Sequence, residues 1–190
     1  MQSFPIQGAL PLLLTLLLAA CGGGGGGDGT SSGQNLVVNP NPNPNPSGSC
    51  AAAPTVQEAV DRINAARAVA RQCGTAFFPA TTPLVWDAQL QVAAQAHASD
   101  MANRNFFAHT NPDGVTASQR TTAAGYGPAT GENIAAGYPS MEAAMQGWLL
   151  SPGHCENIMR PTYQHYALAC ADGAGSDYGT YWTQSFGVFR

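Results

Sequence analysis

The chain has 190 residues and a net charge of −4, and its seven basic residues are all arginines scattered singly. That pattern excludes a basic face for nucleic acid and a polybasic segment for a membrane surface. The length suits one domain, and the first 50 residues contribute little to it. Residues 22–27 are an unbroken glycine run and 39–46 repeat Asn-Pro, compositions that cannot bury enough apolar surface to offset backbone ordering.

Residues 9–20 form a short apolar run without charge, too short to span a bilayer and of the length of a signal-peptide core. The run ends in Leu18-Ala19-Ala20-Cys21, which resembles a bacterial lipoprotein box. That resemblance implies cleavage before Cys21, lipidation of its thiol and attachment to a membrane, with Gly22 in the following position resembling an outer-membrane sorting signal in a Gram-negative cell. Plain secretion is the alternative. Residues 22–49 read as a disordered tether with an end-to-end distance of about 30 Å, stiffened where the Asn-Pro repeat favours extended geometry. The compact domain then covers residues 50–190. Export agrees with the cysteines: besides Cys21 there are Cys50, Cys73, Cys155 and Cys170, which allow three pairings. Proximity in sequence favours Cys50–Cys73 and Cys155–Cys170.

Within the domain, Thr55 and Glu58 form a capping box, and apolar residues at helical spacing predict a first helix over 55–72, ended by Gly74. Asp87 caps a second helix over 88–103 with Leu90, Ala93, Ala94, His97 and Met101 on its apolar face. Asn111-Pro112-Asp113-Gly114 is a turn, and 118–124 a short helix stopped by Gly125. Residues 134–136 are extended. Ser140 caps a helix running to 148–150, and Pro152 opens another that ends near Met159. Residues 166–171 and 181–189 alternate as strands, and the Gly-rich stretch between them makes an antiparallel hairpin. Helices first and strands last predict an α+β fold.

The sequence holds no G-x-S-x-G, P-loop, dinucleotide-binding or H-E-x-x-H motif. Its chemistry rests on His109, Glu132 and His154. Two imidazoles and a carboxylate brought together could hold a divalent metal such as zinc with an open position, or exchange a proton with a substrate. Satisfied groove-wall histidines are the bland alternative. His97, on an apolar helix face, reads as core and His165 as surface. Trp86, Trp148 and Trp182 read as core anchors, Asn133, Asn157 and Gln184 as buried amides, and Asp100 as an i,i+4 partner of Arg104.

Several motifs in order resemble a known family. They are Trp86-Asp87, His97-Ala98-Ser99-Asp100-Met101, Phe106-Phe107-Ala108-His109-Thr110, Gly131-Glu132-Asn133-Ile134-Ala135, Trp148, Ser151-Pro152-Gly153-His154, Asn157-Ile158-Met159 and Tyr181-Trp182-Thr183-Gln184. Together they are similar to the CAP superfamily of cysteine-rich secretory, antigen 5 and pathogenesis-related 1 proteins, most closely its bacterial SCP-like branch. The resemblance implies a three-layer α-β-α sandwich with an open groove, floored by His109, Glu132 and His154. Where the eukaryotic cluster has a second Glu, this chain has Ser151, and Glu156 is the nearest substitute. The resemblance favours a groove-based binding module for a lipid, cell-wall or protein ligand at the cell envelope. A metal-assisted protease or esterase using His109, His154 and Glu132 is one alternative, and a structural envelope protein another.

Overall fold

The computed structural model describes residues 49–127 and 130–188. The expected signal segment, Cys21 and the expected tether up to residue 48 lie outside the described residues. The domain opens with a 3-10 turn, Cys50–Ala52, whose Cys50 N–H donates to Asp172 Oδ1 at 2.7 Å. Helix α1 (Val56–Arg67) starts at the expected capping box: Thr55 Oγ1 accepts from Glu58 N–H, and Glu58 Oε2 accepts from Thr55 N–H at 2.7 Å. The helix stops earlier than the periodicity predicts. Residues 71–73 instead form β1 (Arg71–Cys73), which pairs antiparallel with β2 (Ala76–Phe78) around Gly74. Gly74 sits at φ +60, and a Cβ there would lie 2.9 Å from Pro152 Cβ, so the hairpin tip needs glycine twice over. Arg67, fully buried, ties the end of α1 to the Ile158 and Arg160 carbonyls at 2.6 and 3.1 Å, and burial lowers its pKa to about 10.

A two-residue β3 (Val85–Trp86) leads into α2 (Ala88–Arg104), capped by Asp87 as expected. Then follow α3 (Ala117–Ala123), β4 (Thr130–Ala136), α4 (Met141–Leu150), α5 (Pro152–Met159), β5 (His165–Asp172) and β6 (Thr180–Gly187). The main sheet runs in the order β3-β5-β6-β4; β3 is parallel to β5, and the other pairs are antiparallel. The predicted C-terminal hairpin is β5–β6.

Alternation along the strands sorts residues onto two faces. Ala135, Tyr166, Leu168, Trp182 and Phe186 pack with α1, α4 and α5. Ile134, Ala136, Ala167, Ala169 and Tyr181 pack against α2. Strand β6 is buried along its whole length because helices cover it on both sides. The result is the three-layer α-β-α arrangement that the resemblance implies. Trp148 and Trp182 donate their indole N–H groups to the Ile134 and Tyr138 carbonyls, both at 3.0 Å, as core anchors should.

The disulfide pairing differs from the expectation. The bonds are Cys50–Cys170 and Cys73–Cys155, with Cα atoms 5.7 and 5.4 Å apart. Proximity in sequence misleads because the fold brings the head of the domain alongside β5 and the β1–β2 hairpin against α5. These bonds close loops of 120 and 82 residues, so each constrains the unfolded chain more than a local bridge would, by about 4.5–5 kcal/mol in the chain-entropy model.

Candidate functional site

The candidate site lies on the α2 side of the sheet, at β4. Two devices shape it. Asn105 ends α2 in the left-handed region at φ +50 and turns the chain back as the 106–111 loop. Asn111 then pins that loop: its Nδ2 donates to Asp100 at 2.8 Å, and its Oδ1 accepts from the Asp113 and Val115 N–H groups. Arg104 holds Asp113 through two hydrogen bonds and lies 3.4 Å from Asp100, the expected i,i+4 pair. Phe106 tucks its ring inward beside His97. His109 is left facing outward, with its side chain 54% exposed.

Glu132 comes from β4. Its neighbour must be Gly131, since a Cβ there would collide with the Tyr163 hydroxyl. The Glu132 side chain is only 5% exposed, yet both oxygens are partnered. Oε1 accepts from His109 Nδ1 at 2.9 Å, and Oε2 accepts from Arg120 Nη2 at 2.8 Å. Arg120, from α3, also donates to the His109 carbonyl at 2.8 Å and to the Val115 carbonyl at 2.9 Å. One guanidinium therefore binds the carboxylate, the loop that carries the imidazole, and the turn beyond it. Burial alone would raise the Glu132 carboxyl, but the His109 hydrogen bond, Arg120 and His97 outweigh it and hold it below the usual range.

His97 takes a core position on α2, fully buried, as expected. It also serves the site. Its Nε2 lies 3.0 Å from the Ala108 carbonyl and 3.8 Å from Glu132 Oε1. Burial pushes its pKa down, so the neutral ring donates Nε2–H to Ala108, and its Nδ1 is buried with no partner.

His154 lies at the start of α5, half-buried. Burial, and then the charge of His109, lower its pKa, and its Nδ1 is buried without a partner. No hydrogen bond or ion pair among the described residues joins its ring to His109 or Glu132. Its backbone carbonyl enters an amide relay: Asn157 donates to Asn133 at 3.0 Å, Asn133 to the His154 carbonyl at 3.2 Å and to Gln184 at 3.0 Å, and Gln184 to the Tyr166 hydroxyl at 3.3 Å. Asn133 and Gln184 are buried as the sequence predicts, while Asn157 is only half-buried. Asn157 also donates to the Glu132 carbonyl at 3.2 Å, so the relay fixes β4 behind the site.

The remaining expectations fare differently. Ser151 joins α4 to α5 and makes no side-chain cap, and among the described residues no hydrogen bond or ion pair joins the Glu156 side chain to His109, Glu132 or His154. His165 departs from a surface reading: it is half-buried, and its Nδ1 lies 2.8 Å from the Tyr126 hydroxyl. That hydroxyl donates to the Val188 carbonyl and so accepts from His165. Arg120 was not foreseen. The available signal was that it is the one cation in the sequence between His109 and Glu132.

His109, Glu132 and His154 do not fit a three-ligand metal centre. Among the described residues no three His, Cys, Asp or Glu side chains converge to hold an ion. The donors explain this: Glu132 has both oxygens engaged, one of them by a cation. What the arrangement offers instead is an exposed imidazole oriented through Nδ1 by a buried carboxylate.

Comparison with known proteins agrees with this fold. The family model for the cysteine-rich secretory protein (CAP) family matches residues 60–186. YkwD of Bacillus subtilis is 32% identical over 105 residues, covering 55% of this chain and 39% of that protein. The Bacillus subtilis membrane protein YlbC is 33% identical over 104 residues, covering 54% and 28%. The chain thus spans less than half the length of these curated relatives. A solved extracellular protein with an SCP domain from Bacillus anthracis is 29% identical with a TM-score of 0.56, covering 70% of this chain and 40% of that one. An outer surface protein of Borrelia burgdorferi shares the fold at 22% identity and a TM-score of 0.51, covering 58% and 80%. With a family match running across nearly all of the folded domain, the chain belongs to the CAP, or cysteine-rich secretory protein, family.

Proposed function

We propose that this chain is an exported, membrane-tethered CAP-domain protein whose groove captures a component of the cell envelope. The observation that carries the reading is the oriented, exposed His109, held by a buried carboxylate that is itself neutralised by Arg120. Such a group is built to present a fixed hydrogen-bonding atom. The described residues place no hydroxyl or thiol nucleophile in contact with it, and all four cysteines of the domain are in disulfides. A metal-assisted hydrolase draws less support, since Glu132 is not free to act as ligand or base. A purely structural role leaves the exposure of His109 unexplained.

Export is supported by the two disulfides, which persist in oxidising compartments, and by the extracellular neighbour. Among the described residues no helix is long and apolar enough to cross a membrane. In this reading attachment is through Cys21, with the 22–49 segment as the spacer. Replacing Cys21 with Ala should shift the protein from the detergent phase to the aqueous phase on partitioning.

The groove reading is tested by co-sedimentation of the purified domain with isolated cell-wall sacculi and, separately, with vesicles of envelope lipid. Binding to either should fall about tenfold or more in the His109→Ala, His154→Ala double variant, the loss of one good hydrogen-bonded contact. Equal binding by both proteins, or no binding by the wild type, would contradict it.

A further inference from the structure

Two imidazoles and a carboxylate at His109, Glu132 and His154 predict a divalent metal ion, yet the residues place a guanidinium where a cation would neutralise Glu132. We propose that Arg120 is a built-in substitute for that cation, a positioning residue that closes Glu132 to metal and fixes His109 with its Nε2 left as a hydrogen-bond acceptor for a ligand.

The geometry supports this in three ways. First, Arg120 Nη2 bridges Glu132 Oε2 and the His109 carbonyl, both at 2.8 Å, so one donor group ties the carboxylate to the backbone of the residue it orients. Second, the guanidinium is nearly buried, with 9% of its side chain exposed, and its Nη1 is anchored on the Val115 carbonyl. A dication approaching Glu132 would meet a fixed positive charge at close range in a poorly solvated place, where like charges repel strongly. Third, with Glu132 accepting at His109 Nδ1, the neutral ring carries its proton there and leaves Nε2 with a lone pair. A groove ligand then meets an acceptor at His109 and not a metal ion. This deepens the groove-binding reading and rests on it for the identity of what is bound, but not for the roles of Arg120 and His109.

The test uses the folded, disulfide-bonded domain without any envelope ligand, so failure of groove binding and failure of this inference are separable. In the wild type, long-range nitrogen–proton NMR of the imidazoles should show His109 protonated at Nδ1 and bare at Nε2. Zinc titration against a chromophoric chelator should show no stoichiometric site. Arg120→Met should free Glu132 Oε2 and tighten zinc binding by about tenfold or more. Arg120→Lys, which keeps the charge, should leave zinc binding as in the wild type, and adding Glu132→Gln to Arg120→Met should abolish the gain. A proton on His109 Nε2 in the wild type, or a stoichiometric zinc site there, would overturn the proposal. So would a folded Arg120→Met variant with unchanged zinc affinity. The two wild-type measurements do not depend on any variant folding.

Discussion

The two faces of the central sheet are built from different chemistry. Toward α1, α4 and α5 the sheet presents Trp182, Tyr166, Phe186 and Leu168, interlocked with Trp148, Ile158 and Met145. Toward α2 it presents mostly small residues, Ala167, Ala169 and Ala136, with Ile134 and one ring, Tyr181, and α2 answers with Ala94, Ala98 and Ala102 beside Leu90 and Met101. Where alanine meets alanine, at Ala94, Ala98 and Ala169, α2 lies close to the sheet. That close approach seats His97 within reach of Glu132 and of the Ala108 carbonyl. One face supplies most of the apolar burial that stabilises the fold, and the other supplies the geometry of the site. The lesson is that a charged cluster can be held near a sheet when most of the stabilisation comes from its other side.

Substitutions on each face sharpen or break this contrast. The largest effect is expected for Trp182→Ala, which empties the three-helix layer and should cost about 3–5 kcal/mol in denaturant unfolding. A cost near that of a surface substitution would break the division. Arg120→Met should come next, at about 3 kcal/mol, because it leaves the buried Glu132 carboxylate without its cation. On the α2 face the sensitive direction is enlargement. Ala98→Leu should cost about 2 kcal/mol by forcing α2 off Ala169, with the His97–Ala108 hydrogen bond lost in the same variant.

Acid should act through the site in two steps. His97 and His154 have pKa values lowered by burial from 6.5, so below that pH the unfolded chain takes up protons that the folded one refuses. Stability should therefore fall as pH drops below about 6.5, with a slope reduced in His97→Gln. Glu132, held below 4.5 in the fold, adds a contribution present above that value and lost as pH falls through its lower folded pKa. A pH-independent stability across this range would contradict the burial of these groups. The smallest effect is expected for Asp113→Ala: its ion pair with Arg104 is exposed and screened, so thermal unfolding should not measurably change.

Legibility in the sequence followed locality. Capping boxes, proline starts and strand alternation placed α2, α4, α5 and the β5–β6 hairpin within a residue or two, because each rests on neighbours in the chain. The β1–β2 hairpin was lost because residues 68–72 continue a helical pattern, while Gly74, read as a helix stop, serves a turn held by Pro152 and by Cys73–Cys155. Disulfide partners and the role of Arg120 depend on which elements the fold juxtaposes, and no local spacing encodes that. His109 and Glu132 were found through the resemblance, and the fold brings them into direct contact. His154 stands apart from them in bonding, with its Nδ1 buried and unpartnered.

The most direct test of the central claim, that an internal cation replaces a metal at Glu132, is a crystal structure of the domain grown in excess zinc, with anomalous scattering recorded at the zinc edge. The account predicts Arg120 between Glu132 and the His109 carbonyl, with no anomalous peak on the carboxylate. A zinc peak bonded to Glu132, with Arg120 swung away, would contradict it.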